Sequence, residues 1–381
     1  MAEKIRVLVQ MRHTPELSMA TSRAAAPSVP QLDGIAGFHL DSAYAPVQIP
    51  RKQRRRTIRA GDVGRVFAFD TRPEVSTYLI RGEVEDEQSL ERLTESVAQD
   101  PNAVGVFSDP RISGIATCPG SPVGNRQNVA DRLLVTELHD RGMDGTDVLV
   151  AVVDTGVNLA HLQSKGQNPN FDGANSWAPV SNVVLGDMPV DHGTMCAFDV
   201  CITASNCTLL DYALLQSQAT GGSAMDGFLS DAVLGFSQLL SLLTGPNPPK
   251  ALVVNNSWGM FHSSWDFPVG HSGNYSDNPD HPFNIIVESL EDAGADILFA
   301  AGNCGAECPD PRCEDESDQG IYGANSHSSV LSIAGVTIDR DRVGYSTQGP
   351  GRLDQNKPDI CAYTHFDGSE VYDADSGTSA A

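Results

Sequence analysis

Four short segments carry side chains that together could turn a hydroxyl into a nucleophile. Asp154-Thr155-Gly156 supplies a carboxylate, His192-Gly193-Thr194 an imidazole, Gly377-Thr378-Ser379 a hydroxyl, and Ala301-Gly302-Asn303 a side-chain amide. A serine hydroxyl attacks poorly near neutral pH unless a neighbouring base takes its proton. An imidazole serves as that base when a carboxylate fixes its tautomer and stabilises the charge it gains. An amide N–H can then donate to the oxyanion that forms on the attacked carbonyl. Taken singly, an Asp, a His or an Asn is better read as a helix cap or a solvated surface group. Four such segments, each flanked by Gly or Thr, weaken that reading.

The elements that must position them follow from hydrophobic patterning. Val148–Val153 is a continuous apolar run, and Asp154 follows it directly. Similar runs at 208–210, 251–254, 297–301 and 330–336 lack polar alternation, as strands buried on both faces do. Asn303 follows the run 297–301 after one glycine. Between the runs, helical spacing predicts helices over 192–204, 225–243 (Phe228, Ala232, Phe236, Leu239, Leu243) and 283–293, the last stopped by Gly294. Strands alternating with helices predict an α/β fold, a parallel sheet covered by helices on both faces. In such sheets ligands gather beyond the carboxyl ends of the strands, where Asp154 and Asn303 fall. Upstream, Val7, Leu8 and Val9 predict a strand and the Ala/Ser/Pro-rich stretch 18–33 a loop. A strand over 75–84, a helix over 87–99 (Leu90, Leu93, Val97) and a strand over 103–107 complete a small α+β unit.

Val152-Val153-Asp154-Thr155-Gly156-Val157, Asp191-His192-Gly193-Thr194 and Gly377-Thr378-Ser379-Ala380-Ala381 resemble the Asp, His and Ser motifs of subtilisin-like (S8-type) serine proteases, in the family's order. The resemblance runs from about residue 131 to the end. It implies a serine endopeptidase working through an acyl-enzyme, with Asp154, His192 and Ser379 as triad and Asn303 as oxyanion donor. Asn256-Ser257-Trp258-Gly259 resembles the strand that pairs with substrate backbone. Ser257, Trp258 and Gly259, with Ala301 and Gly302, are therefore the expected substrate-binding residues, and Trp258 is expected to narrow or cap a subsite. The strand–helix–strand unit resembles the second half of the family's propeptide. The expected organisation is a basic, partly flexible region 1–65, a propeptide-like unit 66–115 that could draw strands from 1–65, a linker and processing zone 116–130, and a catalytic domain 131–381. In the family a long helix continues past the Ser motif, whereas this chain stops at Ala381. The catalytic domain is thus expected to be incomplete and the 381-residue chain to have little activity. The alternative is a non-catalytic relative that binds peptides or partners in the same cleft, or an inactive fragment of a longer protease.

Charge and composition restrict partners. The net charge of −24 divides into +6 over residues 1–65 and −30 over the remainder. An acidic main domain repels phosphates, which argues against nucleic acid as a partner and leaves a polypeptide substrate and the chain's own propeptide. No GxGxxG or Walker-type loop supports nucleotide binding. No run reaches the roughly 18 apolar residues of a membrane span, and no signal-peptide core precedes the first strand, so the expected location is cytoplasmic without membrane association. The chemistry requires no cofactor and no metal. Structural calcium would be tolerated, although the acidic stretch 307–318 matches no defined calcium loop. Cys304, Cys308 and Cys313 fit a loop staple better than a metal site, and Cys196 and Cys201 fit buried free thiols on a helix. The basic run 51–59 reads as a solvated tether.

Overall fold

The computed structural model describes residues 4–23, 35, 37–50, 76–114, 120–216, 225–314 and 320–381. The chain opens with β1 (Ile5–Arg12), α1 (Pro15–Arg23), β2 (Phe38–Leu40), β3 (Val47–Ile49), β4 (Thr77–Val84), α2 (Glu87–Gln99) and β5 (Ala103–Ser108). β1 lies between β4 and β5, antiparallel to both, and β2 and β3 pair in succession along the far edge of β4. Alternation along β1 divides its side chains between two cores. Val7, Val9 and Met11 join Leu17, Leu93 and Val97, whereas Leu8 joins Leu79, Phe107 and the large core of the following domain. α2 begins where expected because the Asp86 carboxylate accepts from the Ser89 N–H at 2.7 Å. The loop expected over 18–33 begins later than its composition predicts, since 18–23 belong to α1, anchored by buried Leu17 and Ala20. The rest of that stretch, and the basic run 51–59, lie outside the described residues.

Next come β6 (Arg111–Gly114), α3 (Arg126–Arg132) and α4 (Val135–Asp140). Residues 111–114, at the end of the expected propeptide-like unit, are a strand, and within the stretch expected as linker Asn125 starts α3 through a reciprocal capping box with Asn128. Residues 115–119 are outside the described set.

The chain continues through β7 (Val148–Val153), α5 (Leu159–Ser164), β8 (Asn170–Phe171), α6 (His192–Thr203), β9 (Thr208–Tyr212), β10 (Asp226–Phe228), α7 (Leu229–Thr244), β11 (Ala251–Asn256), β12 (Trp258–Gly259), α8 (Pro282–Asp292), β13 (Ala295–Ala300), β14 (Leu331–Val336) and β15 (Ile360–Tyr363). Seven of these strands pair in parallel in the order β15-β14-β13-β11-β7-β9-β8. Both faces are covered, as the apolar runs require. Val150 and Val152 pack with Met195, Phe198 and Leu162 of α6 and α5, and Ala151 and Val153 with Leu229, Phe236, Phe283 and Ile286 of α7 and α8. The helix expected from 225 starts only at Leu229, because Asp226–Phe228 pairs antiparallel with β6. β6 also pairs antiparallel with β12, which makes a separate three-stranded sheet, β10-β6-β12. Among the described residues no helix is long and apolar enough to cross a membrane.

Side chains fasten the N-terminal sheet to the main domain. The Asp109 carboxylate accepts from the Ser230 N–H at 2.8 Å, at the start of α7, and pairs with Arg6 at 3.0 Å. An anion there faces the unpaired N–H groups and the positive end of the helix. Arg81 reaches Asp231 at 3.2 Å, and the Tyr44 hydroxyl donates to the Ser230 carbonyl at 2.9 Å.

Candidate active site

Asp154 leaves β7 at its carboxyl end and His192 is the first residue of α6, so the sheet edge and the helix start bring them together. His192 Nδ1 lies 2.8 and 3.0 Å from the two Asp154 carboxylate oxygens, and the Thr155 N–H donates to Asp154 Oδ1 at 2.7 Å. Both residues are buried. Burial alone would lower the His192 pKa, but the Asp154 charge and hydrogen bond outweigh it and raise the pKa above the ordinary histidine value, with Arg312 opposing. Gly193 lets α6 approach this closely, since a Cβ there would stand 2.6 Å from the Gly156 carbonyl oxygen. The Gly193 N–H donates to Thr155 Oγ1 at 2.9 Å.

A second constellation joins the amide segment to the hydroxyl segment. Asn303 Oδ1 accepts from the Thr378 N–H at 3.0 Å and from Thr378 Oγ1 at 3.2 Å, and the Gly302 N–H donates to Thr378 Oγ1 at 3.0 Å. Gly302 has φ +103°, which only glycine adopts at little cost. With its oxygen committed, the Asn303 amide has Nδ2 as its donor group. Ser379 is buried in the turn that follows, and its carbonyl accepts from Ser257 Oγ at 3.3 Å. Cys196, one turn beyond His192 on α6, links the two constellations. Its Sγ is 3.8 Å from His192 Nδ1, from Asp154 Oδ2 and from the Ser379 carbonyl oxygen. Burial, then the Asp154 charge, pushes that thiol well up. The hydrogen bond between His192 Nε2 and Ser379 Oγ is not made, and both atoms are buried without a partner. The structure thus brings Asp154 and His192 together, and Asn303 together with the turn that carries Ser379, without a hydrogen bond between Ser379 and His192.

The expected substrate-binding residues divide. Backbone of Trp258 and Gly259 pairs with β6. The Trp258 side chain does not narrow or cap a subsite. It is fully buried and packs against Phe283 and Phe299, with ring centroids 5.9 and 5.1 Å apart. The reason is strand alternation, which turns it toward the core under α8. A side chain at Gly259 would meet the Asn325 amide at 3.0 Å, so neighbouring protein excludes it. That amide donates to the carbonyls of Trp258 and Ala300 at 2.8 and 2.9 Å. Ala301 and Gly302 line a small cavity of about 20 Å³ with Gly259, Phe261, Ile321 and Tyr322. Cys304 and Cys313 form a disulfide, and Cys196 and Cys201 are buried free thiols. Sequence reasoning missed Asn325, Asp226 and Arg312 around β6 and β12. For Arg312 alone a signal existed, its place inside a loop whose cysteine spacing predicts a staple.

An open parallel sheet with helices on both faces, and polar side chains converging beyond its carboxyl edge, defines an α/β protein with a crevice-type site. The profile of the S8 peptidases, the subtilase family, matches residues 145–381, and the chain belongs to that family. Among solved structures it is similar to the S41 psychrophilic protease at 20% identity and a TM-score of 0.44, over 62% of this chain and 74% of that one. No curated protein matches the chain.

Proposed function

We propose that the protein is a serine endopeptidase made as a zymogen. In this reading Ser379 Oγ attacks a peptide carbonyl carbon while His192 Nε2 takes its proton. The C–N bond then breaks, the leaving amine takes that proton, and water hydrolyses the resulting acyl-enzyme by the same route. Asp154 fixes the Nδ1–H tautomer and stabilises the imidazolium, and Asn303 donates to the tetrahedral oxyanion. No step needs a cofactor. The observation that carries the reading is the doubly contacted Asp154–His192 pair beside an Asn303 amide fastened to the Ser379 turn.

The zymogen part rests on β6. A short extended segment lying antiparallel between β10 and β12 is how a peptide would be held by strand addition, and here the occupant is the chain's own segment 111–114. Residues 66–115, with β1 to β3 completing the sheet, act as the propeptide-like unit, and 131–381 as the catalytic domain. A non-catalytic peptide-binding relative is favoured by one observation, the unmade bond between His192 and Ser379. Catalytic hydrogen bonds often tighten only when substrate binds. A fluorophosphonate probe decides between the two. Covalent labelling at Ser379 once β6 has been cut and released, lost in Ser379→Ala, is expected of the peptidase, and a folded, processed protein that stays unlabelled would refute it.

A further inference from the structure

The β6 segment is also touched by a side chain from outside the three-stranded sheet. Arg312 Nη1 donates to Ser113 Oγ and to the Gly114 carbonyl oxygen. Four features fix this guanidinium. Its Nε and Nη2 donate to the two oxygens of Asp310 at 2.9 and 2.7 Å, a bidentate pair whose carboxylate is 1% exposed. The Phe261 ring lies 4.0 Å beneath its Cζ. The Asp310 N–H donates to the Asn303 carbonyl oxygen at 2.8 Å, and the disulfide from Cys304 to Cys313 closes the loop beside it. The arginine is therefore mounted on the segment that carries Asn303.

Further contacts to the occupant come from β10 and the residue before it. Ser113 Oγ lies 2.5 Å from Asp226 Oδ1 and 3.0 Å from the Met225 carbonyl oxygen, and the Asp226 carboxylate pairs with Arg111. Ser113 is itself fully buried. A hydroxyl fits between these groups because it can accept from the guanidinium while donating to the carboxylate. An apolar side chain at the same place would leave Arg312 and Asp226 facing carbon, with buried hydrogen-bonding capacity unfilled.

We propose that Arg312 is a specificity-determining residue of the groove. Through the Gly114 carbonyl it holds any extended chain, and through Ser113 Oγ it selects chains with a small hydroxyl side chain at that place. The substrate class is an extended peptide with Ser or Thr at the position opposite Gly259, and with a basic residue two positions earlier, opposite Phe228 and within reach of Asp226. This rests on the reading of β10-β6-β12 as the substrate groove.

The test is amide hydrogen exchange on the full chain, because β6 is a tethered occupant. In the unsubstituted protein, Ile112 to Gly114 are expected to be protected. Arg312→Ala is expected to speed exchange at Ser113 and Gly114 by about tenfold or more, as loss of a charge-assisted hydrogen bond implies, with β1, β4 and β5 unchanged. Arg312→Lys, which keeps the charge but not the fork, is expected to fall between the two and guards against a misfolded alanine variant. Ser113→Val is expected to reproduce most of the effect, and the Arg312→Ala/Ser113→Val double variant to add little to either single one. Fast exchange throughout β6 in the unsubstituted protein would overturn the groove reading and the inference with it. Protection of β6 that is indifferent to Arg312, or additive effects of the two substitutions, would overturn the inference alone.

Discussion

His192, at 1% exposure, and His281, at 0%, are both buried, and their titration moves in opposite directions. His192 faces a carboxylate, and the raised pKa records that charge winning against burial. His281 sits at the joint with the N-terminal sheet. Its Nε2 is 3.1 Å from the Ser108 carbonyl oxygen, its Nδ1 accepts from the Phe283 N–H at the start of α8, and its ring packs against Phe107 and Tyr275. Burial is the leading cause there and pushes its pKa down to about 4, against the hydrogen bond to Ser108. Depth in the fold is thus not what distinguishes a candidate catalytic imidazole. A charged partner with nothing else to neutralise it does. The joint uses its histidine as a neutral clasp, and in the proposed reading the crevice uses the other as a base held ready for a proton.

The largest expected effect comes from cutting the charged side of this comparison. Asp154→Asn keeps the shape but loses the carboxylate, so His192 can hold the wrong tautomer and its pKa should fall. Peptide hydrolysis is expected to drop on the order of 10⁴-fold. In the unsubstituted enzyme, activity should rise with pH through the raised His192 pKa, because only the neutral ring accepts the Ser379 proton. Kinetics alongside an NMR titration of the ring would check both, and ordinary activity in Asp154→Asn would remove Asp154 from the triad.

Asn303→Ala comes second, an expected loss of about 10²- to 10³-fold in kcat with little change in KM, if its amide acts only on the transition state. Because Asn303 Oδ1 also fastens the Thr378 N–H, a melting curve should accompany the kinetics. A stability loss without a kcat defect would make the residue a fastener of the turn only.

The neutral side of the comparison is tested by acid. With a folded pKa of about 4 against an ordinary value near 6.5, His281 binds fewer protons folded than unfolded between those pH values. Its contribution is therefore present above about pH 6.5 and lost as pH falls toward 4, on the order of 3 kcal/mol in all. His281→Asn keeps a side chain able to cap α8 and is expected to flatten this slope. Denaturant melts at several pH values would show it, and an unchanged slope would place the acid sensitivity elsewhere. Asp211 works in the opposite sense. Burial raises its pKa to about 7, so it binds more protons folded than unfolded and favours the fold less as pH rises from about 4 to 7.

What the sequence made legible was mostly local. The run before Asp154 and the spacing of Leu90, Leu93 and Val97 state their strand and helix within a few residues, and the structure places both where expected. Features that depend on distant partners were hidden. Asp226–Phe228 reads as the first turn of a helix, because the strand that claims it lies more than a hundred residues earlier. The same holds for His281, which is buried against Phe107 and Ser108 of a strand far earlier in the chain, and for Arg312, whose neighbours come from three separate segments. Cysteine spacing suggested a staple but could not choose between Cys304, Cys308 and Cys313 for its ends.

Trp258 sharpens the comparison at its smallest scale, since its backbone belongs to the three-stranded sheet and its ring turns away into the core. Trp258→Phe should keep most of the contact with Phe283 and Phe299 and also remove an indole N–H that is buried without a partner. These effects oppose each other, one a modest packing loss and one the removal of an unsatisfied donor, so the net change in stability is expected within about 1 kcal/mol. Relative cleavage rates across a peptide library should not change, because the ring borders no part of the β10-β6-β12 groove. A reordering of preferred peptides in Trp258→Phe at unchanged stability would mean that the indole leaves the core when a substrate binds, and would return it to the groove.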